Sequence, residues 1–299
     1  MASDDTVPKT RAIYLVDLER EDSVAEIELS VGTLEYGDSG GEGPVLVLLP
    51  GLAMDGRLWQ GVVENLAPEF RCLTPTLPFG AHRQPLRPEA DLSLRGIGRL
   101  VAEFIERLDL RDVALCFNDW GGAQTMIADD LVDRVGRLVL VSCETAGNYP
   151  PGLGGHAAWL SCKLPGGLAM MRRTLLSPRL RRLPIVYGQM SKRGVSDELM
   201  RSWLEPLARP EIQRDLRKYA GGAMRGKRDI RAATAALGSF RRPVLVVWDQ
   251  EGKMMPNEEG RQLAASFPDS RFVELPDCFT LIPIDQPEAL AQEMRDFLA

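Results

Sequence analysis

The sequence predicts an α/β protein with a mostly parallel central sheet, helices on its flanks and a helical lid inserted late in the chain. Three observations predict it. Short apolar runs of strand length alternate with segments whose apolar residues recur at helical spacing. Several of those runs, such as Val45–Leu49 and Val113–Phe117, are apolar without interruption, as expected of strands covered on both faces. The alternation then stops between residues 145 and 238, where the chain becomes helical, basic and broken by Pro and Gly clusters, and it resumes at Val244–Trp248.

Taken in order, residues 1–22 form a polar extension, with a short strand at Ile13–Val16. Ala25–Leu29 and Gly32–Tyr36 read as two strands leading into a Gly-rich turn. Val45–Leu49 is the first fully apolar strand. Leu58–Leu66 is a short helix and Phe70–Pro75 the next strand. After the Pro/Gly/Arg loop Leu77–Pro88, a helix opens near Asp91 and runs to Leu108, with Leu94, Ile97, Leu100, Val101, Phe104 and Ile105 on one face. Val113–Phe117 is a strand, Gly121–Leu131 a helix and Val135–Ser142 a strand. Beyond the lid come Val244–Trp248, a helix at Asn257–Phe267, a strand at Arg271–Leu275 and a closing helix at Gln286–Leu298. The domain boundaries read from this are a core of 23–144 and 239–299 and a lid of 145–238.

The chain has 299 residues, 44% hydrophobic and 26% charged, which suffices for a large core without disulfides or metals. The five cysteines show no metal-ligand spacing and read as buried apolar residues of a reducing compartment. No apolar stretch is of signal-peptide or bilayer-spanning character, so a cytoplasmic protein without a membrane partner is expected. A net charge of -6 argues against nucleic-acid binding. The charge is uneven: residues 145–235 carry 17 Lys/Arg against 6 Asp/Glu, the remainder 19 against 36. The basic lid fits either an anionic substrate or a solvated face set against an acidic core.

In parallel sheets, chemistry gathers in the loops at the carboxyl ends of the strands. One such loop, Asn118-Asp119-Trp120-Gly121-Gly122, links a buried strand directly to a helix. A sharp strand–turn–helix needs small residues after its apex, which Gly121 and Gly122 supply. The apex residue is Asp119, and the Trp120 N–H lies where a helix N-terminus stabilises negative charge.

These residues resemble the α/β-hydrolase superfamily over about residues 25–299. Asn118-Asp119-Trp120-Gly121-Gly122 resembles the elbow of its haloalkane dehalogenase and epoxide hydrolase branch, in which the aspartate attacks carbon to form an ester. Leu48-Leu49-Pro50-Gly51 with Trp59 is similar to the "HG…W" segment after the third strand. Pro276-Asp277-Cys278-Phe279-Thr280-Leu281, followed by Asp285-Gln286-Pro287, is similar to the closing "D-x-G-H-F…D-x-P". The resemblance implies a hydrolase fold with a cap, Asp119 as the chemical centre, and the Leu52 and Trp120 amides as an oxyanion hole beside Asn118. It also implies a partner acid, for which Glu144 is the first candidate and Asp249 or Glu251 the alternatives.

The chain departs from the pattern at the catalytic histidine, whose slot is Thr280. That imidazole activates the water that releases the ester. Without it, three readings stand. Asp119 and Glu144, with Thr280 beside them, form a proton-passing pair for isomerisation, elimination, cyclisation or epoxide opening on a small lipophilic metabolite, anionic where the basic lid serves to attract it. Alternatively, His82 or His156 is a relocated base for hydrolysis of an epoxide, haloalkane or ester. Or the protein is a small-molecule receptor without turnover. The lid residues Tyr149, Trp159, Tyr187, Trp203, Tyr219, Met170, Met171 and Met190 are candidates for an apolar pocket wall. No cofactor is expected, and a homodimer stays open.

Overall fold

A computed structural model describes residues 24–299. The expected N-terminal extension and its strand at Ile13–Val16 lie outside that range. Eight strands form one sheet: β1 (Val24–Leu29), β2 (Gly32–Asp38), β3 (Val45–Leu49), β4 (Arg71–Pro75), β5 (Val113–Asp119), β6 (Val135–Cys143), β7 (Val244–Asp249) and β8 (Ser270–Leu275). Their order is β1-β2-β4-β3-β5-β6-β7-β8. β1 and β2 pair antiparallel, as do β2 and β4, and all later pairs are parallel. The fully apolar runs occupy the centre: β5 is buried along its whole length between β3 and β6.

Helices α1 (Gln60–Leu66), α2 (Leu94–Arg107) and α3 (Gly122–Ala128) connect the first six strands. α2 begins where Ser93 caps it, its hydroxyl accepting from the Gly96 N–H. Its apolar stripe is buried as the spacing predicts, each large side chain contributing about 1.5–3 kcal/mol against the entropy of ordering the helix. Between β6 and β7 come α4 (Gly152–Lys163), α5 (Gly167–Leu176), α6 (Pro178–Arg181), α7 (Asp197–Leu204), α8 (Pro210–Gly221) and α9 (Ala223–Thr234). The last of these, α9, packs on α2 and α3 of the sheet-bearing part. The chain closes with α10 (Asn257–Ala265), the single turn α11 (Ile282–Asp285) and α12 (Pro287–Leu298).

Three buried carboxylates latch the inserted helices to the loops around the sheet. Asp55 accepts the Trp203 indole N–H at 2.8 Å. Asp215 on α8 accepts from His82 Nε2 at 3.3 Å and from the Leu86 N–H at 2.9 Å. Asp285 accepts from Ser191 Oγ, Lys192 N–H, Arg193 N–H and Phe279 N–H at 2.6–3.0 Å. Buried carboxylates are tolerated only when satisfied in this way.

Candidate active site

The elbow forms where β5 ends. Asp119 adopts φ 64, the left-handed conformation that side chains avoid unless surroundings enforce it. The pairing of β5 with β6 shifts register between Asn118 and Asp119. Two glycines permit the crowding around it. A Cβ at Gly51 would stand 2.2 Å from Asp119 Oδ2, and one at Gly121 would stand 2.6 Å from the Glu144 carbonyl oxygen. Gly51 is a site determinant the sequence reading passed over, because only the folded chain brings the β3 loop onto Asp119.

Asp119 is 7% exposed, with its Oδ2 accepting from the Leu52 N–H at 3.2 Å. Burial pushes its carboxyl up to about 6, against a smaller opposing pull from that N–H. Glu144 follows β6 directly. Its N–H donates to the Asp119 carbonyl at 3.0 Å, and its Oε2 accepts from the Gly121 N–H at 3.3 Å. Burial and then the Asp119 charge push the Glu144 carboxyl well above the usual carboxylate range. The two carboxyls thus disfavour a second charge in the same buried site, and the upward push is the stronger on Glu144.

Both carboxyls line a cavity of about 270 Å³ beneath the inserted helices. Its wall is otherwise mostly apolar and includes Leu52, Met171, Met190, Met254 and Trp159. Three tyrosines complete it. Burial, followed by nearby charge, raises the hydroxyls of Tyr149 and Tyr219. The buried Tyr187 hydroxyl has no partner among the described residues, and burial, then the Asp119 charge, raises it well above its ordinary value.

Several expected site residues do not face this cavity. Asn118 is fully buried and absent from the cavity wall, and its Nδ2 donates to the carbonyls of Val141 (3.0 Å) and Thr280 (2.8 Å), tying β5 to β6 and to the loop after β8. Thr280 is itself fully buried and absent from the cavity wall, with an unpartnered hydroxyl. The Trp120 N–H donates to the Asn118 carbonyl at 2.7 Å across the elbow, whereas the Leu52 N–H is the amide that reaches the Asp119 carboxylate. The Trp120 ring packs on Phe79 and Phe117 instead of lining the cavity. Trp203 likewise leaves the cavity for Asp55.

The histidines are accounted for. His82 Nδ1 accepts from the Gly80 N–H and Nε2 lies 3.3 Å from Asp215 Oδ2, so both nitrogens are engaged. His156 is exposed on α4 and bonds the Gly152 carbonyl at 2.7 Å. Neither lines the cavity. Of the alternative acids, Asp249 is fully buried and accepts from Ser142 Oγ at 2.9 Å, and Glu251 is exposed and paired with Lys192. Glu144 is the acid that shares the cavity with Asp119.

Comparison with known proteins agrees with this architecture. Residues 44–287 match the family model described as alpha/beta hydrolase fold. A haloalkane dehalogenase of Mesorhizobium japonicum is 30% identical over 99 residues, 33% of this chain and 31% of that protein. Haloalkane dehalogenase 2 of Mycobacterium tuberculosis is 26% identical over 270 residues, 88% of this chain and 90% of that protein. Among solved structures, a loop variant of a haloalkane dehalogenase from Bradyrhizobium elkanii superposes with a TM-score of 0.70 at 19% identity, covering 92% of this chain and 96% of that one. The chain belongs to the α/β-hydrolase fold family, among enzymes related to the haloalkane dehalogenases.

Proposed function

We propose that the protein catalyses cofactor-independent acid/base chemistry, rather than hydrolysis, on a small lipophilic molecule. The observation that carries this reading is the make-up of the cavity wall: two carboxyls whose burial disfavours a second charge, three tyrosine hydroxyls and no imidazole. Asp119, ionised, removes a proton from a carbon of the substrate. The electron pair of that C–H bond forms a C=C bond while the epoxide C–O bond, or the π bond of a carbonyl, breaks onto oxygen, and Glu144 delivers its proton to that oxygen, with no net change in composition. The proton then returns from Asp119 to Glu144 and resets the pair. Isomerisation of an epoxide or a carbonyl compound fits this balance, and elimination or cyclisation uses the same two groups.

Relocated-base hydrolysis finds little support, because His82 has both nitrogens engaged and His156 lies outside the cavity. A second reading, binding without turnover, is favoured by one specific feature. The Trp120 amide is spent on the elbow itself, leaving Leu52 as the amide donor at the carboxylate. Intact-protein mass spectrometry with epoxides, haloalkanes and activated esters, with products assayed in parallel, separates these readings. Isomerised product without a lasting adduct is expected. A stable ester on Asp119 would show attack without release, and saturable binding with neither product nor adduct would favour the receptor.

A further inference from the structure

We propose that the face formed by α4, α5 and α6 docks on an anionic lipid surface and turns the cavity entrance toward it. The inference is independent of the chemistry at Asp119. Along α4, Leu153, Ala157, Leu160 and Leu164 recur at i, i+4, i+7 and i+11, one stripe of the helix, and all are exposed, Leu153 by 72%. An apolar stripe on a helix normally faces the core; this one faces outward. Met170 on the adjoining α5 is 62% exposed. Leu180, Leu183 and Ile185, on α6 and just after it, extend the patch. Among the described residues, Val24 is the one other large apolar side chain exposed to this degree.

The same segment is cationic throughout. Residues 145–196 contain eight Lys/Arg and no Asp or Glu. Arg181 turns inward to Asp197, and Lys192 pairs with Glu251 and Asp277. Arg173, Arg179 and Arg182 are exposed and make no ion pair among the described residues. Lys163 lies over the Trp159 ring, 4.6 Å from its centre, the amphipathic pairing suited to a water–lipid boundary. Exposed apolar side chains on the same helices as cations that have no ion pair among the described residues match the acyl boundary and anionic headgroups of a bilayer surface. A symmetric dimer through this face would set the same cations against one another, so charge favours lipid over a second copy. Met170 and Ile185 belong both to the exposed patch and to the cavity wall, so docking would place the entrance at the lipid.

No helix among the described residues is long and apolar enough to cross a membrane. The sequence expectation of no membrane partner rested on the lack of a spanning segment, which says nothing about surface docking. The test is flotation of the full chain with vesicles of phosphatidylcholine alone or containing about one-third phosphatidylglycerol. Association with the anionic vesicles, weakened by added salt, is expected. A triple Arg173→Gln/Arg179→Gln/Arg182→Gln variant should bind about a hundredfold more weakly. Leu160→Asp/Leu183→Asp should lose about tenfold or more; neither of those residues lines the cavity. Circular dichroism checks that each variant is folded. No association of the unmodified chain with anionic vesicles would overturn the proposal, as would association that both variants leave unchanged. A concentration-dependent dimer abolished by the Leu160→Asp/Leu183→Asp variant, without vesicle binding, would assign the face to a second copy and overturn it too.

Discussion

Around Asp119 the backbone is held on every side: the Leu52 N–H reaches its carboxylate, the Glu144 N–H its carbonyl, and the Trp120 N–H closes the turn. On the inserted helices, α4 turns Leu153 and Leu160 to the outside, and Arg173, Arg179 and Arg182 of the following helices make no ion pair among the described residues. The first region is closed upon itself, as preorganised charge transfer requires. The second is unfinished by the chain alone, which is the mark of a surface completed by something else. Buried carboxylates join the inserted helices to the sheet-bearing part, and Asp285 does so with four donors, three of them backbone N–H groups.

The largest effect should come from Asp119→Asn. Loss of the base is expected to lower turnover by about 10²–10⁴-fold. The same change should stabilise the protein. Because the folded carboxyl titrates near 6 rather than at 3.8, its contribution to stability is full below pH 3.8 and is lost as pH rises to about 6. At neutral pH the asparagine variant should therefore gain up to about 3 kcal/mol, and below the ordinary carboxylate pKa the gain should vanish. Denaturant melts at both pH values check this. The activity of the unmodified protein should rise with pH through about 6 as Asp119 ionises.

Next in size is Asp285→Ala, which strands several buried donors and should cost about 3–5 kcal/mol by urea unfolding. Leu153→Ala on the outer face should change stability by no more than about 0.5 kcal/mol. Equal losses at the two sites would erase the distinction between a satisfied latch and an uncovered surface. A smaller effect is expected for Tyr187→Phe. Its hydroxyl has no partner among the described residues, so stability should hold or rise by about 1 kcal/mol, while kcat/KM falls about tenfold if the hydroxyl meets substrate. The least effect should come from His156→Ala, with activity kept within about twofold; a large loss would revive the relocated base.

The sheet was legible because its central strands, Val45–Leu49, Val113–Phe117 and Val244–Trp248, are apolar on both faces and are bounded by clear turn residues. The elbow was legible because only Gly121 and Gly122 permit so tight a turn after Asp119. The single turn α11 went unread, since four residues leave no periodicity to detect. Asn118 and Thr280 were placed in the site by position in a pattern. What decides them is the direction of a side chain, and Asn118 turns to the Val141 and Thr280 carbonyls instead. The partners of His82 and Trp203 lie more than a hundred residues away in the chain, at Asp215 and Asp55, a distance at which local sequence carries no signal. The uneven charge of the lid was plain in the sequence, whereas the outward turn of the α4 stripe needed the fold.

A carboxyl pair that moves protons without consuming water leaves no solvent oxygen in its product. The most direct measurement is turnover of an epoxide series in oxygen-labelled water, with products analysed by mass spectrometry. An isomerised product of unchanged composition and without solvent oxygen is expected, and no such product from Asp119→Asn. A diol carrying labelled oxygen, formed over many turnovers, would contradict it.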